Sequence, residues 1–159
     1  LLWFTEDNLT QKIIHFLKYK NFPELGEWLA EIWFEQNKNN PFLNEIETVI
    51  PVPIHPERLK KRKYNQISLC AKKLAQLLDC KYDDTLLIRT HHMDSQTQSG
   101  KYDRLQRMEG AFQLTGKKPQ HYLLVDDVFT TGATLLSCTK ELLKVRNTKV
   151  SIFSLALVN

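Results

Sequence analysis

Glycine is scarce in this chain of 159 residues: it occurs 5 times, which excludes collagen-like repeats and Gly-rich disordered sequence. Cysteine is scarcer still. Cys70, Cys80 and Cys138 are odd in number, far apart and free of any C-x-x-C pair. A disulfide framework and a thiolate zinc site are therefore not expected within this chain; small buried hydrophobes in a reducing compartment are. No apolar run approaches the ~20 residues that cross a bilayer, no basic-then-apolar leader opens the chain, and there is no internal repeat. The expectation is no membrane span and a cytoplasmic location. The chain starts at Leu1 rather than Met, so a missing N-terminal piece is expected. No Ser-His-Asp or Cys-His nucleophile arrangement is legible.

What is present is ordinary for a globular domain, with 42% hydrophobic and 25% charged residues. The length suits one domain that buries roughly 70% of its unfolded surface. Lys+Arg exceed Asp+Glu by 22 − 18 = +4, an excess that permits phosphate or nucleic-acid partners without requiring them.

Helical spacing of Leu9, Ile13, Phe16 and Leu17 predicts a helix over 9–20, capped by Asn8. Pro23 opens a second helix carrying Leu25, Trp28, Leu29, Ile32 and Trp33. Its tryptophans read either as a base-stacking platform or, more simply, as a face packed on the domain. Residues 48–54 read as a strand whose prolines imply a sheet edge or a strand ending at a loop. A helix follows over 67–78 and a short strand over 85–88. The polar stretch 91–107 reads as a long loop of the kind that serves as a functional lid. Residues 122–125 form a continuous apolar strand, 132–144 a helix and 150–158 a last apolar strand. This alternation is α/β with a mainly parallel central sheet, an N-terminal helical segment (1–40) packed on a domain over 41–159.

The most specific stretch is Tyr122-Leu123-Leu124-Val125-Asp126-Asp127-Val128-Phe129-Thr130-Thr131-Gly132-Ala133-Thr134-Leu135. It reads as a buried parallel strand ending in two carboxylates, then a loop of small and hydroxyl residues that opens a helix. Ligands of such sheets bind outside the carboxyl ends of the strands. Unpaired N–H groups at the helix start suit a phosphate, the threonine hydroxyls add donors, and Gly132 lets the backbone come close. Adjacent carboxylates accept hydrogen bonds from vicinal hydroxyls or help to hold Mg2+. A sugar phosphate satisfies both halves.

This stretch resembles the phosphoribosyl pyrophosphate (PRPP) signature of type I phosphoribosyltransferases. The resemblance implies that Asp126 and Asp127 contact the ribose hydroxyls and that Val128, Phe129, Thr130, Thr131, Gly132, Ala133 and Thr134 hold the 5′-phosphate. A second stretch, Val52-Pro53-Ile54-His55-Pro56-Glu57-Arg58-Leu59-Lys60-Lys61-Arg62-Lys63-Tyr64-Asn65-Gln66, is similar to competence protein F (ComF) proteins. So is the series Ser95-Gln96-Thr97, Arg104 and Gly110-Ala111-Phe112. With the helical opening, the resemblance covers nearly the whole chain. It departs at Lys63, where glycine is usual, and at Arg107, where asparagine is usual. A side chain at Lys63 argues against positive φ there. ComF proteins usually begin with a cysteine-rich zinc-binding segment; none is present in this sequence, so either that segment has been removed or this member lacks it, and no zinc is expected in this chain.

The fold implied is that of a type I phosphoribosyltransferase with a flexible lid loop. The resemblance makes Arg58, Lys61 and Arg62 the cations that meet pyrophosphate, Arg as a bidentate fork and Lys as a point charge. Residues 60–63 read equally as a solvated helix start. Tyr64, Asn65 and Gln66 are expected to shape the loop. Arg104 would reach the pyrophosphate from the lid, with Gln96 as a hydrogen-bonding partner, and closure would exclude water from an oxocarbenium-like transition state. His91 and His92 lack the further ligands of a metal pair.

The implied activity is Mg2+-dependent transfer of a phosphoribosyl group to a nitrogen nucleophile with release of pyrophosphate. Asp126 and Asp127 would meet Mg2+ through the substrate. Glutamine amidophosphoribosyltransferases share this domain type, but a catalytic N-terminal cysteine and glutaminase domain are not found, so that complete enzyme is not expected. The alternative is a non-catalytic ComF-type protein that binds PRPP or a nucleotide and handles single-stranded DNA beside the competence machinery. Its basic run 58–63 would bind a nucleic-acid backbone in a salt-sensitive way, without interleaved aromatics for stacking. A homodimer is compatible with either.

Overall fold

The computed structural model describes residues 2–4, 9–19, 22, 24–90 and 110–158. Asn8, Pro23 and the 91–107 stretch with Arg104 lie outside them. The elements in chain order are β1 (Leu2–Phe4), α1 (Leu9–Tyr19), α2 (Glu24–Asn37), a 3₁₀ turn (Pro41–Glu45), β2 (Thr48–Pro51), α3 (Pro56–Arg62) and α4 (Ser68–Leu77). They continue with β3 (Lys81–Tyr82), β4 (Leu87–Arg89), β5 (Phe112–Leu114), β6 (His121–Phe129), α5 (Ala133–Leu142) and β7 (Lys149–Val158). Five strands form a parallel sheet in the order β1-β7-β6-β2-β3, while β4 and β5 form a separate antiparallel pair. The expected α/β fold with a parallel central sheet is what the chain adopts. Among the described residues, no helix is long and apolar enough to cross a membrane.

One detail of the sheet differs from the sequence reading. The carboxylates were expected at the end of a strand, but β6 runs through them to Phe129. The cause is the long neighbour β7, which pairs with β6 from His121↔Lys149 to Phe129↔Leu157. Of the two positions that the prolines of β2 allowed, an edge or a strand ending at a loop, the second is found: β2 lies between β6 and β3 and runs out into a loop. Pro51 is its last residue, so the missing N–H interrupts little, and the amide of Val52 still donates to the Val125 carbonyl at 2.8 Å.

Side chains of β6 alternate between two cores, as the period of two requires. Leu123 and Val125 join Val49, Phe153 and Leu155 under α1, α2 and α4. Tyr122 and Leu124 join Ile50, Leu87, Phe112 and Leu135 under α5 and the β4–β5 pair. Trp33 stands edge-to-face on Phe153 with ring centroids 5.0 Å apart, so it is a packing residue, whereas Trp28 is exposed. Gly26 lets α2 approach α4 closely; a Cβ there would lie 3.2 Å from Cys70 Cβ. All three cysteines are free, and burial pushes the Cys70 thiol up to about 12 and the Cys80 thiol up to about 11. They behave as small apolar groups.

Lys63 overturns the expectation about its backbone: it is left-handed, at φ 64. Its amide donates to the Leu59 carbonyl at 2.7 Å, so it closes α3 in the place where glycine is favoured. Helix closure outweighs the cost of the side chain. Lys63→Gly is expected to raise stability by about 1 kcal/mol by removing that left-handed penalty; a denaturant midpoint at or below the wild-type value would refute this.

Candidate active site

The ends of β2 and β6 point toward one cavity of about 500 Å³. From β2 the chain crosses to β3 on one side, while β6 lies on the other. This reversal of strand order opens a crevice at the carboxyl ends, where α/β sheets bind ligands. Val52, Pro53 and Ile54 form its floor from the β2 side, and Asp126, Asp127 and Val128 face it from β6.

The two carboxylates sit on opposite faces of the sheet and differ in surroundings. Asp126 follows Leu124 toward α5. It is half-buried, and its Oδ1 accepts from the Asp127 amide at 2.8 Å. Asp127 follows Val125 toward α4 and is buried, its Oδ2 accepting from Gln66 Nε2 at 2.7 Å. Gln66 Oε1 in turn accepts from Arg62 Nη1 at 2.9 Å. A guanidinium, an amide and a carboxylate thus form a continuous chain along one wall.

The loop before α4 holds this wall in place. Asn65 Nδ2 donates to the Val52 carbonyl at 3.0 Å, and the Tyr64 hydroxyl donates to the Leu17 carbonyl of α1 at 2.9 Å. His55 begins α3, its Nδ1 accepting from the Glu57 amide at 3.3 Å. Tyr64 and Asn65 shape the loop as expected. Gln66 does more, because it touches a carboxylate of the cavity.

On the opposite wall the sequence reading missed Arg89, which lines the cavity at the end of β4. Its guanidinium lies 5.4 Å from the Phe112 ring centroid across the β4–β5 pair. Burial, then the charge of Arg58, lower its affinity for a proton, while Asp126 acts the other way. Two guanidinium groups held near one another in a half-buried cavity make a favourable place for an anion. The signal available was a lone cation closing an apolar strand, but its position depends on the pairing of β4 with β5, a partner distant in the sequence.

The other sequence-predicted residues divide clearly. Arg58, Arg62, Thr130 and Thr134 line the cavity with the two aspartates. Lys61 and Thr131 are exposed and do not line the cavity. Ala133 is buried in the first turn of α5. Gly132 is the left-handed N-cap of α5, at φ 72, with no side chain to occupy the first amides of the helix. Phe129 packs beside it, its ring 2.9 Å from where a Cβ on Gly132 would stand. Arg104, Gln96, His91 and His92 fall outside the described residues.

The model of the phosphoribosyl transferase domain matches residues 68–159. Competence protein F of Haemophilus influenzae is 34% identical over 151 residues, 91% of this chain and 66% of the relative. The DNA utilization protein YhgH of Escherichia coli K12 is 26% identical over 90% of this chain and 65% of that protein. The chain thus spans a little under two thirds of the length of these curated relatives. Among solved structures, a purine phosphoribosyltransferase from Pyrococcus horikoshii superposes with a TM-score of 0.47 at 17% identity, covering 82% of this chain and 71% of that one.

Proposed function

The chain belongs to the phosphoribosyl transferase domain family, in its competence protein F branch, and from that premise we propose that its cavity binds PRPP and transfers the phosphoribosyl group to a nitrogen nucleophile. One observation carries the reading: a single cavity at the strand-order reversal is faced by Asp126 and Asp127, by Arg58, Arg62 and Arg89, and by Thr130 and Thr134. Carboxylates accept from vicinal hydroxyls, guanidinium forks take the diphosphate, and the threonines with the open amides of α5 take the 5′-phosphate. The match to residues 68–159 and the parallel sheet order give the fold; the substrate rests on the donor set.

In this reading Asp126 and Asp127 orient the ribose, and the residues from Val128 to Thr134 anchor the 5′-phosphate. Arg58, Arg62 and Arg89 draw the diphosphate away from C1, and Arg104 is carried over as a further contact to it. The C1–O bond breaks with both electrons leaving on pyrophosphate, and the nucleophile's lone pair forms the C1–N bond, the nitrogen then shedding a proton. Mg2+ fits the donor set. Among the described residues no cluster of three or more His, Cys, Asp or Glu could cage a metal, and Mg2+ is commonly held by one or two carboxylates with substrate oxygens and water. Bound with PRPP, it would neutralise charge on the departing diphosphate.

The relatives' names favour a second reading, in which the cavity senses PRPP or a nucleotide while the chain handles single-stranded DNA. One experiment tests both. PRPP with Mg2+ is titrated calorimetrically into the wild-type chain, and labelled single-stranded DNA is titrated across a salt series with and without PRPP. Saturable PRPP binding followed by turnover with a nitrogen acceptor supports the enzyme. Salt-sensitive DNA binding by a chain that binds PRPP without turnover supports the second reading, and a chain that takes up no PRPP overturns the enzyme.

A further inference from the structure

Gln66 is buried, with 5% of its surface exposed, and its side-chain amide has one charged partner at each end. An arginine only donates and a carboxylate only accepts, so the orientation of the amide is dictated: oxygen toward Arg62 at 2.9 Å, nitrogen toward Asp127 at 2.7 Å. Such a chain can be assembled only one way round. It joins a residue of the α3 end to a residue of β6 that is 61 positions later than Gln66.

We infer that Gln66 is a positioning residue that fixes the Asp127 carboxylate against ribose and couples it to Arg62 on the diphosphate side. The inference rests on the PRPP reading of the cavity and adds to it a residue outside the sugar-phosphate signature. The neutral amide between Arg62 and Asp127 donates to Oδ2 of the carboxylate and accepts from the guanidinium, so it bridges the two charges. It also makes the placement of either charged group depend on the other, so a diphosphate that draws Arg62 is felt at the carboxylate.

The test is a double-mutant cycle on PRPP affinity with Mg2+, read calorimetrically, using Gln66→Met and Asp127→Ala, which removes the acceptor of the Gln66 amide. Methionine approximates the length and volume of glutamine, so a space-filling role predicts unchanged binding. The positioning role predicts that Gln66→Met loses about tenfold, as expected for a hydrogen bond to a charged group, and loses almost nothing further when Asp127 is already Ala. Gln66→Glu is the second variant. It keeps an acceptor for Arg62 but sets a carboxylate against Asp127, and it should bind more weakly than Gln66→Met. Thermal unfolding establishes that each variant is folded. If the wild type binds PRPP and Gln66→Met binds equally well, or the two losses simply add, the positioning role is overturned alone. If the wild type binds no PRPP, the substrate reading fails and this role with it.

Discussion

Changing Asp126→Asn and Asp127→Asn together is expected to weaken PRPP binding by at least about a hundredfold while leaving the fold intact. Hydrogen bonds to a charged acceptor contribute about 1.5–3 kcal/mol each, and losing two of them gives about 3–6 kcal/mol, which is more than two decades in Kd. Asparagine has the shape of aspartate, so no cavity forms. At position 127 it can still offer an oxygen to Gln66 Nε2, and at position 126 the side chain is only half-buried. The stability change should therefore be small beside the loss of affinity. Pyrophosphate, which has no ribose, provides the internal control: its affinity should stay within about threefold, because Arg58 and Arg89 are untouched. A PRPP affinity within about fivefold of wild type would remove the ribose from these carboxylates and leave the cavity as an anion site.

The part of this site that was legible in the sequence is the part that is local in the chain. From Tyr122 to Leu135 a continuous apolar strand, two acids, a threonine pair and a glycine follow one another, so pattern alone indicated a strand, a cradle and a helix. Even there the strand's end was misplaced, because where β6 stops is set by the length of its partner β7 and not by its own sequence. The strands that escaped are β1, β3 and β5, of 3, 2 and 3 residues. A segment that short cannot display a period; each exists because a neighbour offers it a ladder. Arg89 and Gln66 were missed as cavity-facing groups for a related reason. Arg89 enters the cavity only after β4 pairs with β5, and Gln66 meets Asp127 only after the sheet has formed. Lys63 shows the converse: its residue type argued for one backbone conformation, and the need to close α3 over a short turn imposed the other.

Gly132→Ala is the single substitution expected to damage fold and site together. Gly132 sits at φ 72, where an L side chain costs about 1–2 kcal/mol. The added methyl would stand 2.9 Å from Phe129 Cζ and 3.2 Å from Cε2, distances at which the ring has to move. Phe129 ends β6 and packs against the core cluster that holds Leu124 and Leu135, so its displacement is passed into the sheet rather than released to solvent. A combined loss of about 2–3 kcal/mol should lower Tm by several degrees, since in a chain of this size 1 kcal/mol corresponds to about 2–4 °C. The same movement shifts the first amides of α5, and PRPP affinity should fall by about tenfold or more, beyond what the stability change explains at a temperature where the variant is folded. Gly116→Ala is the control. Its added methyl would meet only Leu86 Cδ1 at 3.3 Å, and Gly116 does not line the cavity. A Gly132→Ala protein with wild-type Tm would show that the turn relaxes around a side chain. One with lowered Tm but wild-type affinity would separate the turn from the phosphate and move the anion site to the arginines.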